Sequence, residues 1–300
     1  MTAIDTAKTA AKSASKAAAR TDTAATGPEP GGGPAGRRGR TPALRTVLPP
    51  LGALVVMIAL WQLVIVAFDV PGYMLPSPAT MLDTVTGEFD CVLTPTWVTL
   101  RESVLGFLIA GAVGVASALV MGRWRLMERS LYPYLILLQT IPIVAVAPLF
   151  VVWLGPGMAT NTLVAAMIAL FPVAANTLQG LKSVDRNLVQ LYSMAGAPAR
   201  VQLLFLRLPG ALPEILTGLR VAAGASVIGA IVGEFVAGVG GGAGGLGYVI
   251  TESAVQLRTP QLFLAVLGAS VVSLLLFGAV VAAERFLLGK WHESALPTDE

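Results

Sequence analysis

Histidine and cysteine are almost missing from this chain: His292 and Cys91 stand alone among 300 residues. A single cysteine excludes an internal disulfide framework and a cysteine-ligated metal cluster. A single histidine, in the C-terminal tail, excludes intramembrane chemistry that depends on an imidazole. Charge is scarce as well, at 12% of residues, where a soluble domain carries about 25%. So little charge cannot cover a water-facing surface, which excludes an ordinary soluble globule and a disordered chain. No alternating pattern about ten residues long suggests the strands of a membrane barrel. The phosphate-cradling pattern G-x-x-x-x-G-K-[ST] is missing too, so this chain does not hold ATP by such a loop. What it has in quantity is apolar side chains, 55% of the total, with a mean hydropathy of +0.75.

Those side chains gather in six segments, at about 51–68, 104–121, 132–153, 158–178, 215–237 and 262–283. Each approaches the roughly 20 residues a helix needs to cross about 30 Å of hydrocarbon. Only helices satisfy every backbone group in lipid without closing a barrel. The expected fold is an all-α polytopic membrane protein with six transmembrane helices. Residues 1–46 are mostly Ala, Thr, Ser, Lys, Gly and Pro. They have nothing to bury and lack a signal-peptide core, so a disordered tail is expected. Residues 47–290 then form the membrane domain, and 291–300 a second short tail.

Charge placement sets the orientation. Of the 20 Lys and Arg, 17 fall in tails and loops on one side, Arg101 and Arg258 on the other, and Arg220 inside the fifth segment. Basic loops face the cytoplasm. Both termini and the connection 181–212 are therefore expected inside, with the chain in a cell (inner or plasma) membrane.

Three connections are too long to be turns. Residues 71–100 are expected outside, partly as an interfacial helix. Residues 238–258 are expected outside and hold seven glycines in GVGGGAGGLG. Gly240, Gly242 and Gly245 match G-x-G-x-x-G, but a dinucleotide site needs a strand before that pattern and a βαβ unit around it. Following a spanning helix, the run reads instead as a flexible external loop. In 181–212, Asp185 is placed to cap a helix over 186–194. Gly196 then supplies a break at positive φ. Pro198 suits the first turn of a second helix, which Pro209 and Pro213 are expected to end. The product is two short amphipathic helices joined by a glycine turn, shaped to press into a partner protein or to rest on lipid.

Gly196 precedes Pro209 by thirteen residues, with Leu208 directly ahead of the proline. This resembles the loop signature of permease subunits of bacterial ATP-binding cassette (ABC) importers: Glu-Ala-Ala, three residues, Gly, nine residues, Ile, one residue, Leu-Pro. Leu206 stands at the Ile position, and Gln190, Leu191 and Tyr192 replace Glu-Ala-Ala. Further blocks, LPSP at 75–78, QTIPIVAVAPLFVVWLG at 139–155, FPVAANTLQG at 171–180, TGLRVA at 217–222 and GEF…GLGYVI at 233–250, resemble the nitrate, sulfonate, taurine and vitamin-precursor permeases. The resemblance implies a type I importer permease that is not an enzyme. Its coupling loop, here Gln190, Leu191, Tyr192, Gly196, Arg200, Leu208 and Pro209, would dock on a separate cytoplasmic ABC ATPase. No cofactor is implied on this chain, since the partner subunit binds and hydrolyses ATP. An extracytoplasmic substrate-binding protein and a second permease copy, as a homodimer, are also implied; nucleic acid is not. QTIPIVAVAPL and IGAIVGEFVAG are more similar to permeases for pyrimidine thiamine precursors or riboflavin than to sulfonate permeases.

Polar groups inside spans are costly and invite a functional reading. Gln139 and Thr140, Asn176, Ser226 and Glu234 are the candidates to line a path for a small polar solute. Interhelical hydrogen bonding explains the amides and snorkelling explains Glu234 equally well. Gly229 and Gly233 form a small-xxx-small pair suited to close helix packing. Pro142, Pro148 and Pro172 are expected to kink or break the third and fourth spans. A secondary transporter or channel working without an ATPase is the alternative. Few ionisable residues for ion coupling, and no evident inverted repeat, stand against it.

Overall fold

The structure, a computed structural model, describes residues 43–87, 89–238 and 244–288. Residues 1–42, the tail 291–300 with His292, and the glycines Gly240 and Gly242 lie outside the described residues. Contacts divide the chain into two units, Met1–Ala53 and Leu54–Glu300. The described part of the first unit is the start of helix α1, Ala43–Ala67; all that follows concerns the second.

Every described element is helical. After α1 come α2 (Pro78–Gly87), α3 (Phe89–Arg123), α4 (Arg125–Thr140), α5 (Ile143–Leu154) and α6 (Met158–Lys182). Then follow α7 (Arg186–Met194), a short run of α8 (Ala199–Val201), a π-helical turn (Gln202–Arg207) and α9 (Leu208–Gly210). The chain ends with α10 (Leu212–Gly238), α11 (Leu246–Val255) and α12 (Thr259–Leu288). Four helices, α3, α6, α10 and α12, are long and apolar enough to cross a membrane alone. The bent pair α4 and α5 makes a fifth span if counted as one, and α1 contributes a shorter apolar stretch, Leu51–Ala67. The helical membrane fold is as expected, while four or five of the six expected spans are long and apolar enough among the described residues.

The third expected span, 132–153, is two helices meeting at 98°. The cause is local. Ile141 stands before a proline, which disfavours the α region; it adopts φ −68° and ψ 125°, and Pro142 follows with ψ 104°. Pro148 and Pro172, by contrast, lie inside unbroken helices. The second span begins at Phe89, well before the expected residue 104. Thr96, Thr99 and Ser103 make residues 89–103 look like a polar loop, yet their hydroxyls bond inward. Thr96 Oγ1 donates to the Val92 carbonyl (2.7 Å), and Ser103 Oγ to that of Thr99 (2.7 Å). Only α2 remains of the helix expected along the outer surface.

Small residues set the centre of the bundle. Helix α6 packs along both α3 and α10, burying Ala165, Ala166, Ala169 and Ala174. Gly106 of α3 and Gly229 of α10 approach Ala165 from two sides: a methyl built on either would lie 2.5 Å from Ala165 atoms. Gly233 meets Asn161 in the same way, at 2.8 Å from its Cα. Helices in lipid gain little from hydrophobic exclusion, so backbone proximity of this kind carries the association. A second apolar layer, with Val227, Leu246, Leu264 and Val272, joins α10, α11 and α12. Trp61 of α1 stacks on Phe263 of α12 with centroids 6.1 Å apart. Arg220, the one cation within the fifth expected segment, donates from Nη2 to Glu284 Oε2 of α12. That pairing offsets the cost of a guanidinium at this depth.

Candidate functional site

The connection between α6 and α10 is built from local rules. Asp185 caps α7, its Oδ1 accepting the Asn187 N–H at 2.8 Å. At the other end the Gly196 N–H reaches the Ser193 carbonyl (3.1 Å) and the Ala197 N–H reaches that of Tyr192 (3.0 Å). These two bonds are the Schellman pattern, which requires a left-handed residue at its centre; Gly196 has φ 71°. Gln202 reinforces the turn, donating from Nε2 to the Ala197 carbonyl at 3.0 Å.

Beyond the turn, Pro198 holds φ −65° and ψ 152° ahead of α8. Pro209 does not end the second element, as the sequence suggests. It lies inside α9, which ends one residue short of α10. The bulge into π-helix at Gln202–Arg207 had no signal in residue spacing. It turns Leu203 and Leu208 onto Leu181, Ala211 and Ile215, so the segment is fastened to the ends of α6 and α10.

The outer side of this segment is apolar and open. Leu188 and Leu191 are exposed on α7, Met194 is 86% exposed at its end, and Leu204 and Phe205 are exposed beyond the turn. Gln190, Arg200 and Gly196 are exposed, whereas Tyr192, Leu208 and Pro209 are half-buried. The sequence-expected loop residues therefore form one contiguous segment. Asp185→Ala removes the cap and should cost α7 about 1 kcal/mol. Amide hydrogen exchange should show faster exchange confined to 186–194.

The polar residues within spans do not converge. Gln139 and Thr140 are exposed at the end of α4, and Gln139 borders a cavity of about 220 Å³ beside the break before α5. Asn176 donates back to the Pro172 carbonyl (2.8 Å) and Ser226 to that of Ala223 (2.9 Å), both within their own helices.

Glu234 belongs to a different group, most of which the sequence did not reveal. It is 2% exposed. Its Oε1 accepts the Thr99 hydroxyl at 2.6 Å and its Oε2 the Gly247 N–H. The same Thr99 oxygen accepts the Leu246 N–H at 2.8 Å. Beside them Asn161 donates from Nδ2 to Glu102 Oε1 at 2.9 Å, with Glu102 also buried. Helices α3, α6, α10 and α11 are thereby joined by one polar layer. Gly245 and Gly247 are glycines for contact: a Cβ on Gly245 would lie 2.1 Å from Glu234 Oε1, and one on Gly247 2.7 Å from the Ile231 carbonyl. Close approach to a buried carboxyl group, not a nucleotide, accounts for this end of the glycine run. The available signal was Thr99, Glu102 and Ser103 at helical spacing on one face. Glu234→Ala strands the Thr99 hydroxyl and the Gly247 N–H, each at about 1–3 kcal/mol. The unfolding midpoint of the purified chain should fall accordingly, with Thr99→Val giving a smaller drop.

Four or five candidate spans and a capped connection with an exposed apolar side describe a polytopic helical membrane protein. Residues 104–288 match the family described as binding-protein-dependent transport system inner membrane component, and the chain belongs to that family. Relatives extend the match. A probable ABC transporter permease protein of Haemophilus influenzae is 34% identical over 78% of this chain and 94% of its own. The formylaminopyrimidine transport permease protein ThiX of Halalkalibacterium halodurans is 33% identical over 80% and 95%. The riboflavin transport system permease protein RibX of Chloroflexus aurantiacus is 32% identical over 82% and 92%. The chain is an ABC transporter permease, a multi-pass membrane protein of a non-enzymatic family.

Proposed function

We propose that this permease is the conduit of an ATP-driven importer, with both termini and the α7 segment in the cytoplasm. In this reading α7, the Gly196 turn and Arg200 dock on a separate ABC ATPase. A binding protein outside the cell delivers a small polar solute, which crosses between two copies of the chain. The single observation that carries the reading is the exposed apolar stripe Leu188, Leu191 and Met194 on a helix capped at both ends. Such a stripe on a segment too polar to span lowers its free energy by burial against a partner. Its two anchorages to α6 and α10 would transmit the partner's motion to the spans.

The break at Ile141–Pro142, with Gln139 and Thr140 beside it, supplies polar groups at the end of a half-span, where transport paths place unwound backbone. Asn176, Ser226 and Glu234 remain candidates to meet the solute in another conformation of the bundle. For the solute we favour a vitamin precursor of the pyrimidine or riboflavin class, because two relatives carry those names. Sulfonate, taurine and nitrate are the alternatives.

Uptake into proteoliposomes tests the proposal. The chain with its ATPase and binding protein should accumulate labelled solute only when ATP is supplied. Uptake by the chain alone would instead establish a channel or secondary transporter.

A further inference from the structure

We propose that a phosphate-bearing anion binds in a cavity where α4, α6, α7 and the π-helical turn meet. The cavity measures about 460 Å³, within the range of small-ligand sites. Four cations line it, each from a different element: Arg125 starts α4, Lys182 ends α6, Arg186 starts α7 and Arg207 ends the π turn. Its walls include the apolar Leu181 and Val189.

The acidic groups of the flanking elements do not balance this charge. Glu128 of α4 is engaged with Lys182, and the Asp185 carboxylate is occupied in capping α7. Glu214 of α10 is not among the residues lining the cavity. Arg125, Arg186 and Arg207 have no ion-pair partner among the described residues. Three guanidinium groups around one cavity repel one another and concentrate anions. The planar fork of arginine matches the oxygens of a phosphate group in a bidentate manner. A basic pocket between membrane helices at the membrane surface is a site for lipid head groups, and the apolar wall suits the start of a phospholipid's acyl chains. A soluble phosphate ester presents the same chemistry. Either ligand would tie α7 and the π turn to α4 and α6, setting the stiffness of the segment between them. Because the site lies wholly on this chain, the inference does not rest on the docking of an ATPase.

The test uses the full-length chain in nanodiscs of phosphatidylcholine, with and without phosphatidylglycerol, and native mass spectrometry to count retained phosphatidylglycerol. Losing two charge-assisted contacts in R125Q/R207Q should weaken retention at least about tenfold. The charge-matched control R129Q/R285Q, outside the cavity, should retain the lipid as the unsubstituted chain does. If the double variant fails to insert, R125Q and R207Q singly should each show a partial loss. In phosphatidylcholine discs, inorganic phosphate is titrated while thermal stability is followed. Stabilisation that depends on Arg125 and Arg207, without lipid retention, assigns the site to a soluble anion and keeps its chemistry. Equal retention by all variants, equal loss in the control, or no response to either probe overturns the proposal.

Discussion

Replacing Gly196 by valine should abolish ATP-coupled transport while leaving the chain in the membrane. Gly196 sits at φ 71° with open space around it, since a methyl built there meets nothing within 4 Å. The penalty is therefore purely backbone: about 1–2 kcal/mol for a side chain in the left-handed region, more for a β-branched one. The Schellman bonds of Ser193 and Tyr192 depend on that conformation, so α7 would unwind at its C-terminal end or swing away from the π turn. Met194 and Leu191 would leave their positions, whereas α6 and α10, packed on each other far from the turn, would not. Expected results are normal amounts of membrane-inserted protein, uptake reduced at least about tenfold, and ATPase activity no longer responsive to loaded binding protein. Gly196→Asn, which tolerates this region better, should retain part of the activity. Uptake unchanged in the valine variant would remove the turn from the mechanism.

Gly229→Leu should have the larger effect on the fold. A Cβ at this position lies 2.5 Å from the Ala165 Cα and 3.0 Å from the Val164 carbonyl oxygen. Both are backbone atoms, which cannot turn aside as a side chain can. Overpacking a core costs about 1–3 kcal/mol where neighbours can yield, and here α6 would have to part from α10. Gly106 of α3 also lies close against Ala165, so α6 is held tightly by two helices at this point. Size-exclusion chromatography of the detergent-solubilised variant should show aggregate in place of the monodisperse species. Gly278→Leu on α12, where a methyl meets nothing within 4 Å, should behave as the unsubstituted chain.

The sequence revealed most where the rule was local. A capping aspartate, a glycine at the end of an amphipathic turn and a proline two residues later define α7 and its stop, and they stand where expected. Apolar runs located α6, α10 and α12 to within a few residues, because a bilayer imposes length as well as composition. What hydropathy could not see was polar residues satisfied by distant partners. Thr99 and Glu102 look like a water-facing loop until Glu234 and Asn161 come beside them across more than fifty residues of chain. Arg220 looks unpaired in sequence because Glu284 lies 64 residues away. The break at Pro142 was within reach, yet three prolines offered themselves and only this one stops a helix. The π-helical turn coincides with the packing of Leu203 and Leu208 on Leu181, Ala211 and Ile215, a long-range contact that no spacing rule encodes.

The claim on which the mechanism stands is that α7 and its turn are held by a nucleotide-hydrolysing partner. Cysteine cross-linking in intact membranes tests it most directly, with Met194→Cys introduced in a Cys91→Ser background and the whole transporter co-expressed. The account predicts an adduct with the ATPase subunit from Met194→Cys and none from Val255→Cys on α11, which is comparably exposed. Absence of that adduct from Met194→Cys, or an equal yield from both positions, would contradict it.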